Sequence, residues 1–82
     1  MNILVYIPDT MRNICFADED MEELGRLGRL FIPQTDNPGD LPAFWARHAA
    51  DCEVLVTGWD SPAITDEMLD MTSKLKLILH SA

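Results

Sequence analysis

The segment Thr57-Gly58-Trp59-Asp60-Ser61-Pro62 holds residue types whose spacing fits ligand binding. A small hydroxyl residue, a glycine, an indole and a carboxylate follow directly after an apolar run, and glycine lets a ligand approach backbone N–H groups closely. The alternative is structural: Trp59 covers exposed core, Asp60 or Ser61 forms a turn, and nothing binds. At this position the sequence leaves a binding loop and a plain turn both open.

Most other chemical signatures are absent from the sequence. It contains no GxGxxG, GxxxxGK[ST], HExxH or GxSxG motif and no zinc-type cysteine spacing. Cys15 and Cys52 have no CxxC partner, and we expect both to be buried apolar filler. The acidic run Asp18–Glu23 lacks the glycine of a calcium loop and predicts a solvated helix face. We therefore expect no metal site and no catalytic residue, with His48 in a packing or surface role.

Composition and charge indicate an ordinary globular domain spanning residues 1–82. The chain is 48% hydrophobic and 24% charged, and fourteen acidic against six basic residues give a net charge of −8. A surface of that sign repels phosphate backbones, so we expect no nucleic-acid partner. No apolar stretch approaches the roughly 20 residues that span a bilayer, and the run Asn2–Ile7 is too short for a signal peptide. We expect no membrane association and a cytoplasmic location.

Three apolar runs predict the strands of a parallel sheet. The runs Ile3–Ile7, Val54–Thr57 and Leu75–Leu79 are almost continuous in aliphatic residues, which is typical of strands covered on both faces. A weaker run, Leu30–Ile32, is cut short by Pro33 and predicts a short strand at a sheet edge.

Helical patterns separate these runs. The first spans Asp18–Leu27, with Met21, Leu24 and Leu27 on its apolar side. Asp40 is the expected N-cap of a second helix that continues to Ala49. Thr65 is the expected N-cap of a third, whose apolar face continues to Leu75. The apolar segment Pro8–Phe16 is too long for a minimal turn and is expected to pack over the carboxyl end of the first strand.

The alternation of strands and helices predicts a three-layer α/β sandwich. Short connections between alternating elements favour parallel strands joined by right-handed crossovers. We expect a flavodoxin-like fold with about four parallel strands and helices on both faces. Because such sheets place functional loops after their strands, and only His80-Ser81-Ala82 follow the last strand, we expect the fold to be incomplete at its C-terminus.

The last third of the chain resembles a known enzyme family. The stretch Cys52–Leu69, followed by Leu75–Ala82, is similar to the N-terminal part of D-isomer-specific 2-hydroxyacid dehydrogenases, which include phosphoglycerate, glycerate and formate dehydrogenases. The shared pattern is a strand ending in a substrate loop, a helix opening with Thr plus an acidic residue, and a Leu-Lys-Leu-Ile type strand. The resemblance implies a flavodoxin-like substrate-binding domain, which in the family is paired with a Rossmann domain that binds NAD(P).

The resemblance also implies a substrate site. Thr57, Gly58 and Trp59 would lie beside a small 2-hydroxy or 2-oxo acid, and His80, Ser81 and Ala82 would begin the loop whose backbone holds its carboxylate. The dinucleotide fingerprint and the family's catalytic arginine, glutamate and histidine have no counterpart in residues 1–82. The resemblance therefore implies that this chain alone binds no cofactor and is inactive.

Two further expectations concern partners and a rival function. We expect a homodimer or higher self-association, because the last strand would leave its outer edge uncovered. The rival interpretation is a stand-alone, small flavodoxin-like binding or signalling module. A receiver domain is disfavoured, because Asp9 follows the first strand but no aspartate follows the third strand until Asp60.

Overall fold

The computed structural model describes residues 1–59 and 61–80 and contains a four-stranded, all-parallel sheet. The strands are β1 Asn2–Val5, β2 Arg29–Phe31, β3 Val54–Thr57 and β4 Leu77–His80. Their order in the sheet is β2-β1-β3-β4, which is that of flavodoxin-like, doubly wound sheets. Leu4 pairs with Phe31 on one side and Leu55 on the other, and Leu55 pairs in turn with Ile78. The predicted α/β class with about four parallel strands is confirmed.

Four helices and two 3₁₀ turns connect the strands. The helices are α1 Asp9–Cys15, α2 Asp18–Leu27, α3 Leu41–His48 and α4 Asp66–Asp70, and the turns are Pro38–Asp40 and Ala49–Asp51. The bounds of α2 are those predicted. The segment Pro8–Phe16, expected to pack over the first strand, contains α1. The third predicted helix, which begins after Thr65, corresponds to α4. It is shorter than predicted, because it ends at Asp70 and does not continue to Leu75.

One face of the sheet is covered by α1 and α2. Ile3, Val5 and Ile7 are buried there with Val54 and Val56 of β3. Flanking residues half-buried against them are Met11, Phe16, Met21, Leu30 and Ile32. Leu27 does not belong to this face, because its side chain is exposed. The expectation of an apolar α2 face running through Leu27 is wrong at that residue.

The opposite face is covered by α3 and α4. Trp45 of α3 is fully buried in a cluster with Leu4 of β1 and with Tyr6, and its ring centroid lies 5.5 Å from that of Tyr6 in an edge-on arrangement. The indole Nε1 of Trp45 donates a hydrogen bond of 3.1 Å to the carbonyl oxygen of Met68. That bond joins α3 to α4 on this face of the sheet.

The strand β4 differs from the prediction that all three long apolar runs are covered on both faces. β1 and β3 are buried as expected, but Leu77, Ile78 and Leu79 are 49%, 46% and 43% exposed. β4 lies at the edge of the sheet, and among residues 1–59 and 61–80 no strand pairs with its outer side. A continuous aliphatic run is thus a strand here, but it is not a buried one.

Of the two predicted helix caps, the one at Thr65 is confirmed and the one at Asp40 is wrong. Thr65 caps α4 as predicted, because its Oγ1 accepts a hydrogen bond of 3.2 Å from the backbone N–H of Met68. Asp40 precedes α3, but its carboxylate does not cap that helix. It accepts instead from the hydroxyl of Thr35, at 2.8 Å. The competing hydroxyl removes the carboxylate from the helix N–H groups.

The two cysteines differ in burial. Cys52 is buried, as predicted, and burial raises the pKa of its thiol. Cys15 ends α1 and is only half-buried, so the expectation of burial is wrong for this cysteine.

In the described part of the chain, the structure contains no helix with the length and apolar character needed to span a bilayer.

Candidate functional site

The carboxyl ends of β1 and β3 form the point where the sheet reverses its winding. The chain passes from β1 outward to β2, and from β3 outward to β4 on the other side. In open parallel sheets this arrangement opens a crevice between the two central strands, where ligands bind. The loops that follow β1 and β3 are therefore the places to look for chemistry.

Thr57 and His80 meet at the carboxyl ends of β3 and β4. The two residues are paired in the sheet register, and Oγ1 of Thr57 lies 2.9 Å from Nδ1 of His80. Thr57 is buried, whereas His80 is exposed. When the threonine hydroxyl donates to Nδ1, the neutral imidazole carries its proton on Nε2. This pair can present a directed N–H donor to an oxygen atom of a ligand.

Gly58 is buried and already has a hydrogen-bond partner. Its backbone N–H donates to Oγ of Ser61 at 2.9 Å, and that hydroxyl donates in turn to the carbonyl oxygen of Tyr6 at 2.5 Å. The N–H of Ser61 returns a bond of 3.2 Å to the Gly58 carbonyl, closing a turn. Ser61 thus ties the loop after β3 to the end of β1. In this conformation the Gly58 N–H stabilises the turn and does not face a ligand.

Trp59 projects into solvent beside this turn. Its side chain is 58% exposed, whereas Trp45 in the core is 1% exposed. An indole that covered the core would be largely buried, so the structural alternative for Trp59 does not hold. The structural alternative for Ser61, a turn residue, does hold. An exposed aromatic side chain two residues after Thr57 is available to contact a small ligand.

The predicted site residues are thus partly brought together. Thr57, Gly58, Trp59 and His80 share one end of two neighbouring strands. Ser81 and Ala82, predicted to begin a carboxylate-binding loop, lie outside the described residues. Asp60 does as well.

A second polar group lies at the carboxyl ends of β1 and β2. The guanidinium of Arg12 is 2.7 Å from Oδ1 of Asp9, and the arginine side chain is 17% exposed. Nε of Arg12 has no hydrogen-bond partner among the described residues. Nearby, Asp36 accepts bonds from the hydroxyl of Thr10 at 2.6 Å and from its backbone N–H at 2.8 Å. The hydroxyl bond, reinforced by the backbone bond, lowers the pKa of Asp36 below 3.8.

Tyr6 is the polar residue that sequence reasoning missed. It follows β1 in a run that resembles pure core, yet its hydroxyl is buried with no partner among the residues that the structure describes. Burial raises the pKa of Tyr6 above 10.0. A signal existed in the sequence, because tyrosine is the one residue with a polar group in Ile3–Ile7. The hydroxyl belongs to a side chain packed edge-on against Trp45, on the face covered by α3 and α4.

Two clefts formed by described residues lie away from the predicted site. One, of about 420 Å³, lies between the end of α1 and α2 and is lined by Cys15, Phe16 and Leu24 together with acidic residues. The other, of about 310 Å³, lies between the segment after β2 and α3 and includes Thr35, Phe44 and Arg47. Neither contains Thr57, Trp59 or His80.

Metal-binding side chains do not cluster in the described ranges. Across residues 1–59 and 61–80, no three His, Cys, Asp or Glu side chains are placed to hold an ion together. The carboxylates of Asp9 and Asp36 are engaged by Arg12 and by Thr10. The polar groups of Thr57, Trp59 and His80 are hydroxyl, indole and imidazole, which suit a small organic ligand with oxygen atoms.

Fold and site together define a doubly wound, parallel α/β domain with a polar carboxyl edge. Comparison with protein-family models, with curated proteins and with solved structures finds no match.

Proposed function

We propose that this chain is the substrate-binding domain of an NAD(P)-dependent D-2-hydroxyacid dehydrogenase-like protein and is inactive by itself. The ligand is a small 2-hydroxy or 2-oxo acid, bound at the carboxyl ends of β3 and β4. The observation that carries the proposal is the 2.9 Å contact between Oγ1 of Thr57 and Nδ1 of His80. It joins the two strand ends to which the family resemblance assigns the substrate.

The chemistry of that contact suits a 2-oxo acid. An imidazole whose Nδ1 accepts from a buried hydroxyl offers Nε2–H to a carboxylate or carbonyl oxygen of the ligand. Trp59, two residues after Thr57, supplies an exposed apolar surface. Because Gly58 N–H is occupied by Ser61, we assign the donor role to His80 and the packing role to Trp59.

The proposed domain holds one side of the ligand only. Hydride transfer requires a nicotinamide cofactor held against the substrate, and residues 1–82 contain no GxGxxG fingerprint. The proposal assigns the cofactor to a separate Rossmann domain. We therefore expect weak binding by this chain, with a dissociation constant in the millimolar range, equivalent to about −4 kcal/mol.

Tryptophan fluorescence of the 82-residue chain, titrated with pyruvate or glyoxylate, tests the proposal. We expect a saturable change that is lost in Trp59→Phe, because Trp45 lies in the core and away from solvent. Thr57→Val should weaken binding at least fivefold by removing the hydroxyl that orients His80. Thr72→Val is the matched control, since Thr72 donates only to the Leu69 carbonyl of α4.

A second pair of variants separates the two histidines. His80→Leu should abolish the response, whereas His48→Leu should leave it unchanged, because His48 packs between the rings of Phe31 and Phe44. The absence of any saturable response up to high millimolar acid would refute the proposal. That outcome would favour a stand-alone, flavodoxin-like module with another ligand.

A further inference from the structure

The cleft between the segment after β2 and α3 is lined by one carboxylate and one guanidinium. Its volume of about 310 Å³ lies at the lower end of the range of small-molecule pockets. Ile32 and Pro33 line it from the end of β2, Phe44 and Arg47 line it from α3, and Asp40 lines it from the turn before that helix. The size limits its ligand to a small molecule.

This cleft lies at the β2 edge of the sheet, on the side opposite to β4. β2 is the first strand in the order β2-β1-β3-β4, so a strand added after β4 would extend the sheet away from the cleft. Thr57, Trp59 and His80 do not line it. A ligand of this cleft is therefore independent of the proposed 2-oxo acid site.

The charged and aromatic side chains of the cleft follow one side of α3. Asp40, which has helical backbone angles, precedes Phe44 by four residues, and Phe44 precedes Arg47 by three. This spacing places all three on the same side of a helix. Because the Cα–Cβ bonds of a helix tilt toward its N-terminus, the Arg47 side chain starts in the direction of Asp40. The cleft thus offers a cation and an anion with an aromatic ring between them.

Both charges retain the capacity to bind a ligand. The ion pairs found among residues 1–59 and 61–80 do not include Arg47, whose side chain is exposed. Oδ2 of Asp40 accepts a hydrogen bond of 2.8 Å from the Thr35 hydroxyl, and the second carboxylate oxygen can accept from a ligand. A guanidinium binds a carboxylate through two parallel hydrogen bonds.

Hydrogen bonds to the start of α1 hold the β2 side of the cleft in place. The carbonyl oxygen of Thr35 accepts from the N–H of Asp9 at 2.8 Å. The carboxylate of Asp36 accepts from the hydroxyl of Thr10 at 2.6 Å. A wall that is ordered before binding lowers the entropy cost of taking up a ligand.

We propose that this cleft binds a free α-amino acid with an apolar side chain. The amino acid carboxylate pairs with Arg47, its ammonium group donates to Asp40, and its side chain packs on Phe44. An anion without an amine would meet the Asp40 carboxylate as a repulsive charge, and an amine without a carboxylate would not engage Arg47. Because exposed ion pairs contribute little, the dissociation constant is in the millimolar range.

Amide NMR titration of the isotopically labelled chain with L-phenylalanine tests the proposal. We expect saturable shifts at Thr35, Phe44 and Arg47. Hydrocinnamate, which lacks the ammonium group, and phenethylamine, which lacks the carboxylate, should each bind at least threefold more weakly. The absence of saturable shifts at these residues, or binding of hydrocinnamate as tight as that of phenylalanine, would overturn the proposal.

Two variants test the charges separately. Arg47→Gln should weaken phenylalanine binding at least threefold. Arg26→Gln is the matched control, because Arg26 is exposed on α2, which covers the other face of the sheet, and it should leave binding unchanged. Asp40→Asn keeps an acceptor for the Thr35 hydroxyl. It should weaken binding of phenylalanine and strengthen binding of hydrocinnamate, since it removes the repelling carboxylate.

A merely structural role for these residues gives a different pattern. Equal weakening of phenylalanine binding by Arg47→Gln and Arg26→Gln would reduce Arg47 to a contribution to net charge and overturn the proposal. Weakening of both ligands by Asp40→Asn to the same extent would also overturn it, because loss of the cleft shape does not distinguish an ammonium group from a hydrogen atom.

Discussion

The two edges of the sheet, β2 and β4, are both short and rich in large apolar residues, yet one is covered and the other is not. At the β2 edge, Leu30 packs against the core and the ring of Phe31 lies 4.7 Å from that of His48. At the β4 edge, Leu77 and Leu79 remain more than two-fifths exposed. The difference shows that the cover of an edge strand depends on other elements and not on its own residues.

The β2 edge has two devices that limit further pairing. Pro33 follows the strand and removes a backbone donor, and the charged side chain of Arg29 lies over the Phe31 ring at 5.0 Å. Proline and charged residues are common means of blocking edge strands. Lys76 precedes β4, and no proline lies within Leu77–His80. Among the described residues, β4 therefore lacks the proline device of the β2 edge.

The largest effect should come from the core that lies between the two edges. Trp45→Ala should lower the free energy of unfolding by about 3–5 kcal/mol, because it removes a fully buried aromatic side chain. Trp59→Ala is the matched control, and its exposed indole should cost no more than about 0.5 kcal/mol. Urea denaturation followed by circular dichroism measures both, and equal losses would contradict the described packing.

A glycine pair tests how tightly the β2 edge is packed. A Cβ at Gly28 would lie far closer to the carbonyl oxygen of Met1 than van der Waals contact allows. That oxygen also accepts a 2.7 Å hydrogen bond from the N–H of Arg29. Gly28→Ala should therefore destabilise the protein by about 1–3 kcal/mol.

Gly25→Ala is the control for that substitution and should act in the opposite direction. Its Cβ would make an ordinary contact of 3.8 Å with Leu30, and alanine favours the helix by about 0.5–1 kcal/mol over glycine. Thermal unfolding of both variants gives the comparison. A stabilising Gly28→Ala would show that the start of β2 is looser than described.

The smallest effect concerns the acid stability of the segment after β2. The Thr10 hydroxyl lowers the folded-state pKa of Asp36 below 3.8, so the bond stabilises the protein at pH values above 3.8 and its contribution is lost as the pH falls through the lowered pKa. Thr10→Val removes the hydroxyl and should return the pKa of Asp36 toward 3.8. NMR titration of the Asp36 carboxyl measures this, and an unchanged pKa would contradict the assigned cause.

The sequence predicted the architecture because its pattern depends on local periodicity. The bounds of α2, the cap at Thr65 and the edge position of β2 followed from residue spacing, helix-start chemistry and Pro33. The exposure of β4 did not, because an aliphatic run has the same pattern whether or not a neighbouring element covers it. Asp40 was mispredicted because its carboxylate accepts from the hydroxyl of Thr35, which lies five residues away in the segment after β2.

The grouping of the candidate site was predictable to a similar degree. Thr57, Gly58 and Trp59 and, from the resemblance, His80 were predicted to share a site, and the strand register places Thr57 beside His80. The hydrogen bond from Ser61 to the Tyr6 carbonyl spans 55 positions in the chain. No local pattern indicates a contact of that range, so the link from this loop to the end of β1 could not be anticipated, whereas the bond from Gly58 N–H to Ser61 Oγ is local.

We propose that the edge formed by Thr57, Trp59 and His80 binds a small 2-oxo acid. An amide NMR titration of the isotopically labelled chain with pyruvate tests this, with propionate as a control that lacks the oxo group. We expect saturable shifts at Thr57, Trp59 and His80 with pyruvate and weaker ones with propionate. No saturable shift at these residues, or saturable shifts confined to the clefts beside α2 and α3, would contradict it.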